Sequence, residues 1–385
     1  MTENADQYKS SSVPLYQTAT FKQTSVNEMG EYDYTRSGNP TRSHLERHCA
    51  KIMGARRALA VTSGMTAFDV IARLVRSGQS IITGDDLYGG SHRLLKYLNT
   101  HLDIAVHHVD TTNTQSILDK IDSTTALLLL ESPTNPLIKI VDVAEICAEV
   151  HSINPKILCV VDNTMMSPLL MRPLELGADI VYESATKYLC GHHDVMAGII
   201  ATNDSLLAER LYANINANGA GLAPFECWLL LRGIKTLAVR MEKQQRNAQT
   251  IANYLNDLGF KVRYPGLPST QGYEIHQKQC MGPGAVLSFE TGDLQLSENI
   301  VGSTKIWGIS VSFGCVNSLI SLPCKMSHAS IDAKTRAERQ FPEDLIRLCV
   351  GIESPIDLIK DLHAALDKAG AIKAGPDSDV DISED

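Results

Sequence analysis

The chain has 385 residues, 44% of them hydrophobic and 21% charged, with a net charge of −9. That is the composition of a soluble globular protein long enough for two domains, or one large and one small. With no apolar run near the ~20 residues of a membrane span, and no basic stripe, it excludes a membrane anchor and a nucleic-acid partner.

In chain order, residues 1–45 are polar and turn-rich and end in "YDYTRSGNPT". They read as an arm too poor in apolar residues to bury a core of its own. The start has no apolar signal core and no Arg-rich transit character, so the expectation is a cytoplasmic protein, or an organellar one if a presequence has been removed.

Residues 46–245 read as a large α/β domain. Short apolar runs, "RALAVTSG", "SIITGDD", "IAVHHVD", "ALLLLESP", "ILCVVDN", "DIVYESATK" and "AGIIAT", alternate with stretches of helical period such as "GGSHRLLKYLNTH" and "VDVAEICAEVHSI". Continuous apolar runs of this length suit strands buried on both faces of a mostly parallel sheet. Polar residues gather just after the runs, where open parallel sheets bind ligands.

The helical stretch around "IKTLAVRMEKQQRNAQTIANYLNDLG" leads to residues 246–370, read as a smaller α+β domain. There "AVLSFE", "IWGISVSFG" and "LIRLCVG" read as strands and "SPIDLIKDLHAALDKAG" as a closing amphipathic helix. Residues 371–385 end in "PDSDVDISED", whose five acidic residues predict a solvated, disordered tail. Mobility is also expected at residues 1–11.

The nine cysteines are scattered, odd in number and without C-x-x-C, so neither a disulfide framework nor a zinc site is indicated. The adjacent pairs His107-His108 and His192-His193 diverge on a strand or helix, which argues against shared metal ligation. No metal is expected.

The chemistry centres on Lys187, in "YESATKYLCG". Most lysines at strand ends are surface groups. Three neighbours set this one apart. Asp162 ends an otherwise apolar run, where a carboxylate needs a cationic or hydrogen-bonded partner, or else caps the next turn. Gly64 and Met65 follow Ser63 at a strand-to-helix turn, where a helix start offers N–H groups to an anion. Ser184 and Thr186 would face the same way on an extended segment. An amine, a buried carboxylate and an anion cradle together match pyridoxal 5'-phosphate.

"YDYTRSGNPTR", "TSGMTA", "GDDLYGG", "ESPTNP", "VVDNTMMSPLL", "PLELGADIVYESATKYLCGHHDVMAG" and "GLAPFECWLLLRGIKTLAVRM" resemble the cysteine/methionine-metabolism family of fold-type I pyridoxal-phosphate enzymes over residues 13–367. The resemblance implies a transferase-like α/β fold with a mostly parallel central sheet and a smaller C-terminal α+β domain. Lys187 would carry the cofactor and shuttle protons, and Tyr88 would stack on its ring and share in proton transfer. Asp162 would hold the ring nitrogen, and Gly64, Met65, Ser184 and Thr186 its phosphate. Tyr34 and Arg36, on the arm, would reach the phosphate of a neighbouring subunit, which makes a dimer the minimum and a tetramer the expected state. Asn135 would lie near the cofactor or the substrate carboxylate. Arg347, helped by Ser318, would grip that carboxylate, and an ordinary internal salt bridge is its other reading.

The implied reaction is β-elimination from an amino-acid thioether. L-cystathionine would yield homocysteine, pyruvate and ammonia, a step of methionine biosynthesis. Members acting at Cγ share the cofactor apparatus. Many of them carry glutamate where this chain has Asn317 and Ser321, which favours β-elimination here and places Asn317 at the substrate. A cofactor-binding protein without turnover is the alternative of a different class.

Overall fold

A computed structural model describes residues 6–327, 329 and 341–372, so the acidic tail from residue 373 and the first five residues of the expected mobile start lie outside it. The seven apolar runs form a seven-stranded sheet: β1 (Arg57–Val61), β2 (Ser80–Gly84), β3 (Ala105–Val109), β4 (Thr125–Glu131), β5 (Leu158–Asp162), β6 (Ile180–Glu183) and β7 (Gly198–Thr202). Their spatial order is β1-β7-β6-β5-β4-β2-β3. β2 to β6 pair in parallel, and β7 runs antiparallel to both its neighbours.

The runs are continuous because both faces are covered. Side chains alternate across a strand, so Leu59, Leu127, Leu129, Val160, Ile180 and Ile200 join one apolar cluster. Ala58, Leu128, Leu130, Val161, Val181 and Ile199 join the other. Helices α1 (Pro40–Ile52), α2 (Gly64–Ala72) and α3 (Gly89–His101) pack among these faces. Helix α1 begins inside the segment read as an arm. Asn39 caps it, accepting from the Thr41 N–H, and Pro40 stands at its first position.

The second sheet has the order β10-β11-β12-β9-β8. Its strands are β8 (Lys261–Arg263), β9 (Val286–Glu290), β10 (Gly308–Ile309), β11 (Leu319–Ser321) and β12 (Leu345–Cys349), with helix Pro355–Ala369 closing the chain. The run "IWGISVSFG" is not the full strand its composition predicts. Only Gly308–Ile309 pair as strand. Ser312 then adopts φ +89° and Gly314 φ +80°. The chain leaves the sheet there to pass the Lys187 turn so closely that a Cβ on Gly314 would lie 2.8 Å from the Tyr188 nitrogen.

Helix Leu237–Asp257 runs unbroken through residue 245, where sequence composition suggests a domain boundary. It ties both sheets to itself. Arg240 donates to the Leu189 and Gly233 carbonyls. One turn on, Gln244 donates to the Cys315 and Val350 carbonyls, and Asn247 to those of Gly351 and Glu353. The arm is held as well, by Trp228 Nε1 donating to the Val13 carbonyl and Asn39 Nδ2 to that of Tyr16.

Candidate active site

The site lies at the carboxyl ends of the parallel strands. Register puts Glu131 of β4 opposite Asp162 of β5, and Asp162 opposite Tyr182 of β6. Asp162 Oδ1 accepts from the Thr164 N–H at 2.9 Å and from its hydroxyl. Thr164 Oγ1 in turn accepts from the Ser184 N–H at 2.8 Å. Tyr182 also bonds the Asp162 carboxylate. Burial raises the Asp162 carboxyl above its ordinary range, against the lowering effect of Thr164, Tyr182 and the Lys187 charge. It has no ion pair with a cationic side chain among the described residues.

Residues 184–190 do not extend the strand, as the same-face argument for Ser184 and Thr186 assumed. β6 stops at Glu183 and the chain coils, with Lys187 N–H donating to the Ser184 carbonyl and Gly191 N–H to that of Lys187. The Thr186 hydroxyl is partly engaged, accepting from the Ala197 N–H at 3.0 Å. Ser184 sits against Gly64, where an added Cβ would lie 2.7 Å from Ser184 Cβ. Ser63 caps α2 by accepting from the Thr66 N–H. The first N–H groups of a helix have no intrahelical partner, so Gly64 and Met65 present theirs beside Ser184. Tyr88 folds over Gly90, where an added Cβ would meet its ring at 2.5 Å and Met65 Sδ at 2.8 Å.

Lys187 Nζ donates to Ser312 Oγ at 2.6 Å. It stands 5.5 Å from the centre of the Phe313 ring, and the Arg347 guanidinium stands 6.0 Å from that same centre. Burial, and then the Arg347 charge, bring the amine down to about 8, against smaller raising effects from Cys349, Cys315 and Asp162. The neutral form of this lysine is therefore much easier to reach than that of an exposed one.

Arg347 is 1% exposed, in the middle of β12. Nη1 donates to Asn135 Oδ1 at 2.9 Å and Nη2 to the Ser312 carbonyl at 2.8 Å. Its Nε, like the Ser321 hydroxyl opposite it on β11, has no partner. No carboxylate pairs with it among the described residues. A buried guanidinium held by neutral oxygens is set to receive an anion, and the internal salt bridge is not what the fold builds.

Four expected residues stand apart from the Lys187 cluster. Ser318 does not assist Arg347. Its hydroxyl donates to Glu353 Oε2 at 2.8 Å and accepts from the Gly351 N–H. Asn317, just before it, is exposed. Tyr34 and Arg36 stack on each other at 5.7 Å, both exposed. The adjoining Ser37 bonds Tyr212 and Asn216 of helix Ser205–Asn218. No hydrogen bond or ring contact joins the stacked pair to the Lys187 cluster among the described residues.

Three residues escaped sequence reasoning. Ser312 bonds both Lys187 and Arg347, and its only advance signal is a polar residue inside an apolar run. Thr164 orients Asp162 from two residues on, a spacing that suits a hydroxyl turn. Glu131 accepts from the backbone N–H groups of Tyr88 and Asn135. Burial raises its carboxyl well above the ordinary range, with Asp162 adding to the effect.

These features suit pyridoxal phosphate. The Gly64–Ser184 notch at the start of α2 is an anion cradle that a Cβ would fill. Asp162 is a carboxylate awaiting a cation, and Lys187 is an amine in no ion pair.

A family model described as "Cys/Met metabolism PLP-dependent enzyme" matches residues 1–367. The chain is 64% identical to a cystathionine beta-lyase of Neurospora crassa, over 96% of this chain and 81% of that one. It is 52% identical to a cystathionine beta-lyase of Schizosaccharomyces pombe, over 95% and 94%. A solved cystathionine gamma-lyase from Lactobacillus plantarum, complexed with L-serine, superposes with a TM-score of 0.92 at 36% identity, covering 96% and 97% of the two chains.

Proposed function

Because the chain belongs to the Cys/Met-metabolism family of pyridoxal-phosphate-dependent enzymes, with their fold-type I architecture, we propose that it is a carbon–sulfur β-lyase. Its substrate is L-cystathionine, and its products are homocysteine, pyruvate and ammonia. The observation that carries this reading is a buried guanidinium with no carboxylate partner, Arg347, and an amine of lowered pKa, Lys187, both bonded to Ser312 and standing 6.0 and 5.5 Å from the centre of the Phe313 ring.

The cofactor's ring, when bound, supplies the electron sink for the pair left behind when Cα loses its proton. The chain's own residues do the rest. Gly64, Met65, Ser184 and Thr186 hold the phosphate, with the neighbouring subunit's arm adding its own Tyr34 and Arg36. Asp162, steadied by Thr164 and Tyr182, keeps a carboxylate against the ring nitrogen. Tyr88 covers the ring from the side of Gly90. Arg347 grips the α-carboxylate with the two-pronged geometry that carboxylates match, while Asn135 and the Ser312 carbonyl fix its plane. Lys187, neutral enough to act as a base, removes the Cα proton and returns a proton to the departing sulfur. Tyr88 shares that delivery.

Ser321 is buried beside Arg347, where a carboxylate would compete with the substrate's own. That, and the neutral side chain of Asn317, support β- over γ-chemistry. Exposure of Tyr34 and Arg36 supports a homodimer or larger assembly. Nine free thiols suit a reducing compartment, the cytoplasm. No described helix is long and apolar enough to cross a membrane.

The test is product identity. The cofactor-loaded protein with L-cystathionine is expected to release pyruvate and homocysteine. 2-Oxobutyrate with cysteine would replace this reading with γ-elimination, and no turnover at all would favour a cofactor-binding protein.

A further inference from the structure

At the amino ends of β5 and β6, opposite the Lys187 side, a second set of side chains converges. His151 Nε2 lies 3.0 Å from Asp179 Oδ2. Asp179 Oδ2 accepts from the Cys159 N–H at 2.7 Å. One ligand atom each from His151, Cys159 and Asp179 falls within 4.8 Å of the others. Cys147, one helical turn before His151 on helix Val143–Ile153, lies near Cys159 but outside that group. Residues four apart share a helix face, so Cys147 and His151 approach the strands together.

The scaffold is rigid. Asp179 N–H donates to the Cys159 carbonyl, and the Thr202 hydroxyl donates to the Asp179 carbonyl at 2.7 Å. Gly177, at φ +98°, lets the chain pass Cys147, whose Cβ would be 3.3 Å from any added one. The two thiols are buried, while the His151 and Asp179 side chains are 27% and 28% exposed. They open beside a surface cleft lined by Asp179, Asn203 and Asp204.

We propose that His151, Asp179 and Cys159 form a binding site for a zinc-class divalent transition ion. An imidazole, a carboxylate and a thiol are three donors of the kinds zinc takes, with the fourth tetrahedral position left to solvent. Soft sulfur disfavours magnesium and calcium. Two ligands facing solvent give the ion its entry, and the buried thiol behind them supplies the soft donor. Sequence spacing hid the set, since its members come from a helix, a strand and a loop rather than from one C-x-x-C segment.

Cobalt(II) titration of the metal-free, cofactor-loaded protein tests this. One equivalent is expected to bind with tetrahedral absorption and a sulfur-to-cobalt band, displaced by zinc. Cys159→Ser should abolish the sulfur band. His151→Gln, at the surface, should weaken cobalt binding at least tenfold, and Cys280→Ser, a thiol elsewhere, should change nothing. Cofactor absorption reports that each variant is folded. Absence of a sulfur-to-cobalt band in the parent protein overturns the proposal. So does a band that survives Cys159→Ser, or an affinity that His151→Gln leaves unchanged.

Discussion

The two sheets contribute to one site in opposite ways. The large sheet offers residues at the tips of its parallel strands, where β5 and β6 simply stop and the next turn begins. Asp162, Ser184 and Lys187 stand there, near backbone groups with spare hydrogen bonds. The small sheet offers Arg347 from the middle of β12, paired on both sides by β9 and β11. A charge in mid-strand has no loose backbone to lean on. It has to be met by side chains and by a carbonyl borrowed from outside the sheet, those of Asn135 and Ser312. Tip residues can be rebuilt by changing a turn. The mid-strand residue is fixed by its ladder, and the loop at Ser312 bends to serve it.

The contrast can be broken from either side. Lys187→Ala should lower turnover of L-cystathionine roughly 10³-fold or more, since a positioned proton-transfer group of this kind contributes about 10²–10⁴. The visible absorption of the lysine-bound cofactor should vanish with it. Retained turnover would end the assignment. Arg347→Ala should act on the substrate instead, lowering kcat/KM by about 2–5 kcal/mol, the usual loss when one member of a buried hydrogen-bonded charge pair is removed. Most of the loss should appear in KM, and an unchanged KM would remove Arg347 from the carboxylate.

Protonation sharpens the comparison in the cofactor-stripped protein. Lys187 falls from 10.5 unfolded to about 8 folded. Between those values the unfolded chain binds more protons than the native one, so stability rises with pH. The gain approaches about 3 kcal/mol across that window, at ~1.4 kcal/mol per pKa unit. Buried thiols held protonated by the fold oppose this in the same window, so the gain is expected as the difference between parent and Lys187→Met in denaturant melts at pH 8 and pH 10.5. Ser312→Ala tests the link between the halves. It should cost about 1.5–3 kcal/mol, the range for a hydrogen bond to a charged group, read chiefly in kcat. The smallest effect belongs to Ser321→Ala. Its hydroxyl has no partner to lose, so the midpoint of unfolding should hold or rise slightly. A raised KM would show that substrate uses it.

What the sequence revealed follows the same divide. Six strands of the large sheet are legible because strands covered on both faces are apolar without interruption, and the edge strand β3, partly buried with His107 and His108 in it, is legible from its place in the alternation. The tip residues are legible for the same reason, since polar residues end those runs abruptly. The small sheet was misread at "IWGISVSFG", where apolar composition suggests a strand and the chain instead turns at Ser312 to reach two side chains distant in sequence. The positions of Ser318 and Glu353 depend on loop packing, which no periodicity encodes. Arg347 stood out as a charge inside an apolar strand, but its partners come from loops 212 and 35 residues earlier in the chain.

Helix Leu237–Asp257 gives the arrangement a further meaning. Three consecutive turns hold the Lys187 turn by Arg240, the Cys315 loop by Gln244 and the loop after β12 by Asn247. The proposed base and anion grip are thus mounted on a single rod, as the jaws of a fixed gauge. The gauge measures one length, from Cα to the α-carboxylate, and any L-amino acid passes it. The span beyond Cβ lies outside the jaws. Selection among thioethers, and drift toward new leaving groups in descendants of this chain, are therefore free to proceed at the rim without retooling the gauge.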